Sequence, residues 1–406
     1  MTTSPDAHAT LAIHGGRPVR EGMLPYGRQW LTDADVEAVV EVLRSDWITT
    51  GPKIAEFEEA VAGLAGARHA VAFSSGTAAL HGAAFAAGLG PGDEAITTPL
   101  TFCATANAVL YQGATPVFAD VSDDTLTIDP DQVRRRLTPH TKAILPVDYA
   151  GHPADLDPLL ALAQRHGLVV IEDAAHALGA RYRGRPVGCI SHMTVFSFHP
   201  VKHLTTAEGG MVTTDNADLA LRLRAFRSHG IASDPRVRQA EGQWYYEMTA
   251  LGFNYRLTDV ACALGLSQMP RLGANVARRR EIAQRYGAEL SGAPALTLPA
   301  VSADVEHAWH LYPVRVDASI DRAEVFRALR AEGLGVNVHY VPVHLHPYYR
   351  NRFGYRGGEF PVAEAAYGRL ISLPMFHGMS DTDADDVIAA VRKVMAYFGG
   401  GRYGRP

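Results

Sequence analysis

A chain of 406 residues with 38 Lys plus Arg against 43 Asp plus Glu has a formal net charge of −5, and so lacks the basic surplus with which a dedicated nucleic-acid binder neutralises phosphates. Its 47% apolar and 20% charged residues exclude disorder as the main state and predict a soluble globular protein, with about three quarters of its surface buried and core enough for two domains. Three cysteines, Cys103, Cys189 and Cys262, lie far apart with no CxxC pair, which predicts neither a disulfide framework nor a Cys-based zinc site and fits a reducing, cytoplasmic compartment.

The first residues, 1–12, are small and polar and read as a frayed end without the basic and apolar regions of a signal peptide. No run of about 18 apolar residues predicts a membrane span. Thr32 to Leu43 reads as an amphipathic helix with Val36, Val39, Val40 and Leu43 on its apolar face, capped by Thr32 or Asp33. Ile54 to Leu64 repeats the pattern with Ile54, Phe57, Val61 and Leu64.

From about residue 68 the texture changes. Short apolar runs at Ala70–Phe73, Glu94–Thr98, Pro116–Val121, Ala143–Val147, Leu168–Ile171, Thr194–Phe198 and Met211–Thr213 are predicted strands. Helical stretches, among them Thr77–Ala87, Ala104–Tyr111 and Leu156–Arg165, fall between the early ones. That alternation predicts a mainly parallel sheet covered on both faces, in a large unit over 13–265.

A smaller α/β unit is predicted over 266–398: a helix at Ala274–Leu290, a strand at Tyr312–Val316, a helix at Arg322–Glu332, a strand at Gly335–Tyr340 and a last helix at Thr382–Phe398. Arg278, Arg279 and Arg280 read as a solvated face of the first of these helices. The Gly-rich segment 399–406 reads as a flexible tail.

No Walker A loop, no GxGxxG after a strand, no HExxH and no GxSxG occurs, which weighs against P-loop, Rossmann, zincin and α/β-hydrolase chemistry. Among eighteen histidines the densest group is His339, His344 and His346. Pro342 and Pro347 make that segment an irregular loop, better suited to lining a pocket than to holding a metal with three fixed ligands.

Three pieces carry chemistry when taken together. Ser74-Ser75-Gly76-Thr77 joins a strand to a helix, where small residues and the helix N-terminus can cradle a phosphate, or where Ser75 serves as a simple cap. Asp173 ends the apolar run Val170-Ile171, and ligands of open parallel sheets bind beyond the carboxyl ends of strands. Lys202 follows the strand of Phe196-Ser197-Phe198 in a non-helical turn. A lone Lys is ordinarily a solvated charge, but one desolvated near other positive charge loses its proton and attacks carbonyls. Phosphate cup, strand-end Asp and then Lys, in that order, are what a pyridoxal phosphate enzyme needs in one pocket.

The sequence resembles the sugar aminotransferases of the DegT/DnrJ/EryC1/StrS family over about residues 13–395. The matching stretches are Ile48-Thr49-Thr50-Gly51-Pro52, Ser75-Gly76-Thr77-Ala78-Ala79-Leu80, Glu172-Asp173-Ala174-Ala175-His176-Ala177, Ser197-Phe198-His199-Pro200-Val201-Lys202, Glu208-Gly209-Gly210 and Gly252-Phe253-Asn254-Tyr255-Arg256. The Ser-Phe-His-Pro-Val-Lys form and the loop Asn337 to His344 are most similar to the branch that aminates UDP-4-keto-6-deoxy-N-acetylhexosamines, as in the pseudaminic acid pathway. The resemblance implies a fold-type I pyridoxal phosphate (PLP) enzyme that works as a homodimer, using L-glutamate and a nucleotide-linked deoxysugar. It implies that Lys202 forms the Schiff base and moves the proton, and that Asp173 pairs with the pyridinium nitrogen. His176 is implied beside the ring oxygen, Phe102 on the ring face, and Ser75, Gly76, Thr77 and Ser197 at the phosphate. Asn254 would reach the phosphate from the partner subunit. Tyr26, Thr49, Thr50, His339 and Tyr340 would line the nucleotide-sugar pocket.

Within the resemblance the alternatives are a dTDP-sugar aminotransferase of an antibiotic pathway and a sugar dehydratase that uses bound pyridoxamine phosphate. Some such dehydratases carry His in place of the Schiff-base Lys, and His203 stands next to Lys202. The family often has Gly where this chain has Ala207, a change of little consequence unless the backbone there needs a positive φ.

Overall fold

The computed structural model describes residues 10–400 apart from Ala232 and Asp234. All seven predicted runs become strands of one sheet: β1 (His69–Phe73), β2 (Glu94–Thr97), β3 (Thr115–Phe118), β4 (Thr141–Leu145), β5 (Val169–Asp173), β6 (Met193–Ser197) and β7 (Gly210–Thr214). Their order is β1-β7-β6-β5-β4-β2-β3. β3, β2, β4, β5 and β6 pair in parallel, and β7 runs antiparallel between β6 and β1. Helices cover both faces, so the strands read as continuous apolar runs with no alternation. On one face the helix Gly76–Ala86 lays Ala79, Ala83 and Ala84 flush against the sheet, each fully buried.

This topology gathers the chemistry at one edge. Gly210 opposes Phe73 on one side and Ser197 on the other, and Asp173 opposes Val195. The carboxyl ends of β1, β6 and β5 therefore lie in a row, and the segments that leave them carry Ser75–Thr77, Lys202 and His176.

A second core gathers around an antiparallel sheet of Leu296–Thr297, Tyr312–Val316 and Leu370–Leu373. The helices Leu272–Leu290, Arg322–Ala331 and Asp381–Gly399 close over it, burying Tyr286, Leu329, Val387 and Val391. The strand Leu370–Leu373 and the helices Pro347–Phe353 and Pro361–Arg369 were not foreseen, because each is short and flanked by Gly or Pro. The strand expected over 335–340 shrinks to Leu334–Gly335, paired with Leu24–Pro25. Beyond it the chain bends away to carry Asn337 to Tyr340 into a cavity.

The frayed amino terminus is corrected where it is described. Leu11 is fully buried in the second core, and the amide of Ala12 donates to Glu332 Oε1 at 2.8 Å. Residues 1–9 lie outside the described residues, as does 401–406 of the expected tail, while Gly399 closes the last helix. Glu332 also accepts from the Val19 amide at 3.1 Å and from Lys393 Nζ at 2.9 Å, with its side chain fully buried. Truncating it strands a cation and two amides, so Glu332→Ala is expected to lower stability by about 3 kcal/mol, read as a fall in the urea midpoint at unchanged slope.

The helix Asp33–Leu43 starts at Thr32, which forms a capping box with Asp35. Its expected buried face is half right: Val39 and Val40 are half-buried. Val36 and Leu43 are exposed, while Asp35 and Val42 are buried. The pull comes from Arg271, which pairs with Asp35, and from Ser267 Oγ, which donates to it.

Candidate active site

A cavity of about 560 Å³ opens at the sheet edge just described. Its floor holds Asp173, His176 and Lys202. One end holds Ser75, Gly76, Thr77 and Ser197, and the opposite wall is Tyr26, Phe102, His339 and Tyr340. Eleven of the predicted site residues meet here. Among the described residues, Thr49, Thr50 and Asn254 do not line it. Thr49 is exposed and bridges Thr258, and Asn254 is exposed and bridges Ser228.

The cup is built by close packing. Ser75 caps the helix by accepting from the Ala78 amide at 3.0 Å, and the amides of Gly76 and Thr77 open that helix, where no earlier carbonyl reaches them. A Cβ on Gly76 would lie 3.0 Å from Ser197 Cβ, and one on Gly210 would lie 2.5 Å from the Ser75 carbonyl oxygen. Glycine at both positions lets two backbones and one hydroxyl converge on a space that suits an anion. Ala207, just before Glu208-Gly209-Gly210, takes a φ of 65°. The condition set for it above is met, so alanine is strained there by about 1 kcal/mol relative to glycine.

Asp173 is buried. Its Oδ2 accepts from Thr105 Oγ1 at 2.7 Å and its Oδ1 from the Ala175 amide at 3.2 Å. Burial raises its pKa, while Thr105, the Ala175 amide and Lys202 pull it down. Behind it lies a second buried acid pair, Asp148 and Glu172. Burial and the charge of Glu172 push Asp148 well above the usual carboxylate range, so this pair keeps a proton.

Lys202 follows β6 in a turn closed by its own amide donating to His199. Burial pushes its ammonium down to about 7, with Asp173 opposing the fall and Arg279 adding to it. Its Nζ lies 3.4 Å from His310 Nε2. The His310 ring lies tilted against His176, with ring centres 4.3 Å apart; the Nε2 of His176 meets the Tyr340 hydroxyl at 3.1 Å and its Nδ1 is buried without a partner. Burial and the charge of Lys202 hold His176 and His310 well below the usual imidazole range, so both are neutral. His339 is brought down to about 4 by the same two causes.

Sequence reasoning missed His310, Thr105 and Arg279. Thr105 is the second residue of the helix Ala104–Tyr111, three residues after Phe102, and its hydroxyl reaches the end of β5. Arg279 is the larger correction. It was assigned to a solvated face and is fully buried, with its guanidinium among backbone carbonyls. His203 lies outside the cavity lining, and its Nε2 donates to the Ala308 carbonyl at 2.8 Å.

These residues fit a pyridoxal phosphate. The cup offers amides and hydroxyls to a phosphate, the buried carboxylate of Asp173 has no ion pair among the described residues, the orphaned Nδ1 of His176 seeks a partner, and an amine brought down to about 7 faces the same space. The expected metal-free reading of His339, His344 and His346 finds His339 in the cavity wall. His344 is bonded instead to Glu364 at 3.0 Å, and Glu364 ties down the amides of Gly358 and Phe360.

The chain was compared with known proteins. The model of the family described as DegT/DnrJ/EryC1/StrS aminotransferases matches residues 30–392. The spore coat polysaccharide biosynthesis protein SpsC of Bacillus subtilis is 46% identical over 381 residues, 93% of this chain and 98% of that protein. PseC of Helicobacter pylori, an aminotransferase involved in the biosynthesis of pseudoaminic acid, superposes with a TM-score of 0.86 at 32% identity, covering 93% of this chain and 100% of PseC. Spr1654 of Streptococcus pneumoniae in its PMP form gives a TM-score of 0.87 at 32% identity, over 92% and 99% of the two chains.

Proposed function

The chain belongs to the DegT/DnrJ/EryC1/StrS aminotransferase family and is a PLP-dependent aminotransferase of fold type I, and on that premise we propose that it moves the amino group of L-glutamate to the ketone of a UDP-4-keto-6-deoxy-N-acetylhexosamine. The observation that carries the reading is the joint placement of the Lys202 amine, the Asp173 carboxylate and the Ser75–Thr77 cup around one cavity. The sugar is supported by the likeness to PseC and to a polysaccharide biosynthesis protein, and by the Asn337–Tyr340 segment that forms the wall facing Lys202.

When bound, pyridoxal phosphate supplies the electron sink that lets an amino group leave one substrate and join another. The chain supplies position and protons. Ser75, Gly76, Thr77 and Ser197 hold the phosphate. Asp173 keeps the ring nitrogen protonated, with Thr105 fixing its orientation. Lys202 Nζ, about half deprotonated at pH 7 because burial brings it down to about 7, would be the nucleophile and the group that moves the proton. His176 stands at the ring oxygen with the Tyr340 hydroxyl behind it, Phe102 covers the ring, and Tyr26, His339 and Tyr340 face the nucleotide sugar.

The working unit is a homodimer in the cytoplasm. Trp244 and Leu251, in the segment that leads into Asn254, are 85% and 76% exposed, as expected of a segment that a second copy would cover. That copy would bring its own Asn254 to this cavity, and Thr49 and Thr50 would reach the sugar pocket at the same seam. Among the described residues no helix is long and apolar enough to cross a membrane.

A panel of keto sugars on UDP, dTDP and GDP carriers, incubated with L-glutamate, tests the assignment. The expected result is an amino sugar, with kcat/KM for the UDP-linked N-acetyl substrate at least about tenfold above the others, the discrimination a few pocket contacts give. A preferred dTDP sugar overturns the substrate, and a deoxy product without amine overturns the reaction.

A further inference from the structure

Arg279 is a buried cation whose role the proposed chemistry has not yet used. Its Nη1 donates to the carbonyls of Trp309, His310 and Met375 at 3.1, 3.2 and 3.0 Å, and its Nη2 reaches the carbonyl of Val201 at 3.4 Å. Its neighbours Arg278 and Arg280 pair with Asp381 and Glu306 near the surface. Among the described residues no carboxylate pairs with Arg279.

An unpaired buried charge costs several kcal/mol, so stability alone gives little reason to keep it. What it grips is informative. Val201 is the residue before Lys202, and His310 is the residue whose ring nitrogen meets the Lys202 amine. One planar fork thus ties together the two chain segments that meet at that amine. A guanidinium suits the task because its donors are fixed in a plane, whereas an ammonium has no such fork.

We propose that Arg279 is a positioning residue for Lys202: it locks the Val201 and His310 carbonyls, so holding the ε-amine against His310, and its permanent charge favours the amine over the ammonium. The inference rests on the reading of Lys202 as the nucleophile.

The charges facing that amine come from every element around it. Asp173 at the end of β5 is the anion. Arg279 from the helix Leu272–Leu290 is the cation. His176, His203, His310 and His339 are neutral at pH 7, each brought down by burial, and Tyr340 is held in its phenol form by burial. Burial lowers Arg279 itself only to about 9, so it stays charged through the neutral range. Removing it leaves burial alone to oppose Asp173, and the amine then holds its proton to higher pH.

The test titrates the amine without cofactor. Full-length apoenzyme is labelled with limiting acetic anhydride across a pH series, and acetylation of Lys202 is read by peptide mass spectrometry. The wild-type amine is expected to titrate near neutrality. In Arg279→Gln the titration moves up by about one unit, with about a fivefold loss of labelling at pH 7. In Arg279→Lys the titration stays in place, because the charge is kept, but the single-turnover rate with L-glutamate on the cofactor-loaded enzyme falls because the fork is gone.

A near-neutral wild-type amine with an unshifted Arg279→Gln amine overturns the inference alone. So does an Arg279→Lys protein that turns over at the wild-type rate, which keeps the test open should Arg279→Gln not fold. A wild-type amine that titrates at the ordinary lysine value overturns the reading of Lys202, and this inference with it.

Discussion

Lys202→Ala is expected to lose turnover by about four orders of magnitude or more, because in the proposed mechanism one amine serves as both nucleophile and proton carrier and no second amine lines the described cavity. The neighbouring imidazoles are neutral, but His176 is bonded to Tyr340 and His203 is turned to the Ala308 carbonyl. Among the described residues His310 is the imidazole in hydrogen-bond reach of the amine's place, and an imidazole cannot form the Schiff base through which amino groups are exchanged. Cofactor is expected still to bind, because the cup is untouched, but its visible absorbance should become that of the free aldehyde. Lys202→Arg keeps a cation and is expected to be equally inactive, since a guanidinium is never a free base at neutral pH. Stopped-flow mixing with L-glutamate reads the loss directly. Because burial brings the amine down to about 7, the apoenzyme's reactivity toward a free aldehyde should rise as pH climbs through neutrality and then level off. A rise delayed to pH 10 means that the amine sits in water. Full activity in Lys202→Ala removes the lysine from the reaction.

Much of the large sheet was legible because its strands are buried on both faces, so runs such as Val169–Ile171 and Val195–Phe196 are apolar without interruption. The order cup, acid, lysine could be read because each piece is a local signal at a strand end. What stayed hidden depends on contacts distant in sequence. Arg279 looks like Arg278 and Arg280 until the carbonyls of Trp309, His310 and Met375 are seen around it. Periodicity placed Val36 and Leu43 inward, yet one ion pair with Arg271 rotated the helix toward Asp35. The strand expected over 335–340 survives as Leu334–Gly335 and one antiparallel bridge from Asn337 to Ser372, after which the segment lines the cavity. Functional need overrode local propensity at that point, as it often does at sites. Thr49, Thr50 and Asn254 gave a motif match without a place in the single-chain cavity, which is the pattern expected of residues that act across a subunit boundary.

Asp173→Asn is expected to produce the second largest loss, about 10²- to 10³-fold in kcat, comparable to removing one preorganised electrostatic partner from a water-excluded site. The substitution is close to isosteric. Its amide oxygen can keep the Ala175 N–H while its NH2 donates to Thr105 Oγ1, whose own proton can turn to Thr101 Oγ1, so the fold should hold. What disappears is the negative charge. That charge is set in a costly place: burial raises the Asp173 pKa, and only Thr105, the Ala175 amide and Lys202 favour the ionised form. A protonated ring nitrogen would be the strongest stabiliser it could gain, and by reciprocity the carboxylate would hold that proton on the ring. In the variant the ring nitrogen should lose its proton, so the proton-transfer step driven by Lys202 slows while the cup keeps its grip on the phosphate. The expected pattern is therefore a large fall in kcat with cofactor affinity changed far less. In the wild type, with a pKa raised by burial, protonation of Asp173 in the apoenzyme begins at a higher pH than for an exposed aspartate, so cofactor binding should weaken early on acidification. Thr105→Val should move that onset higher still by removing one stabilising hydrogen bond. Unchanged kcat in Asp173→Asn separates the carboxylate from the chemistry. Loss of cofactor affinity with unchanged kcat on the loaded fraction reduces it to a binding contact.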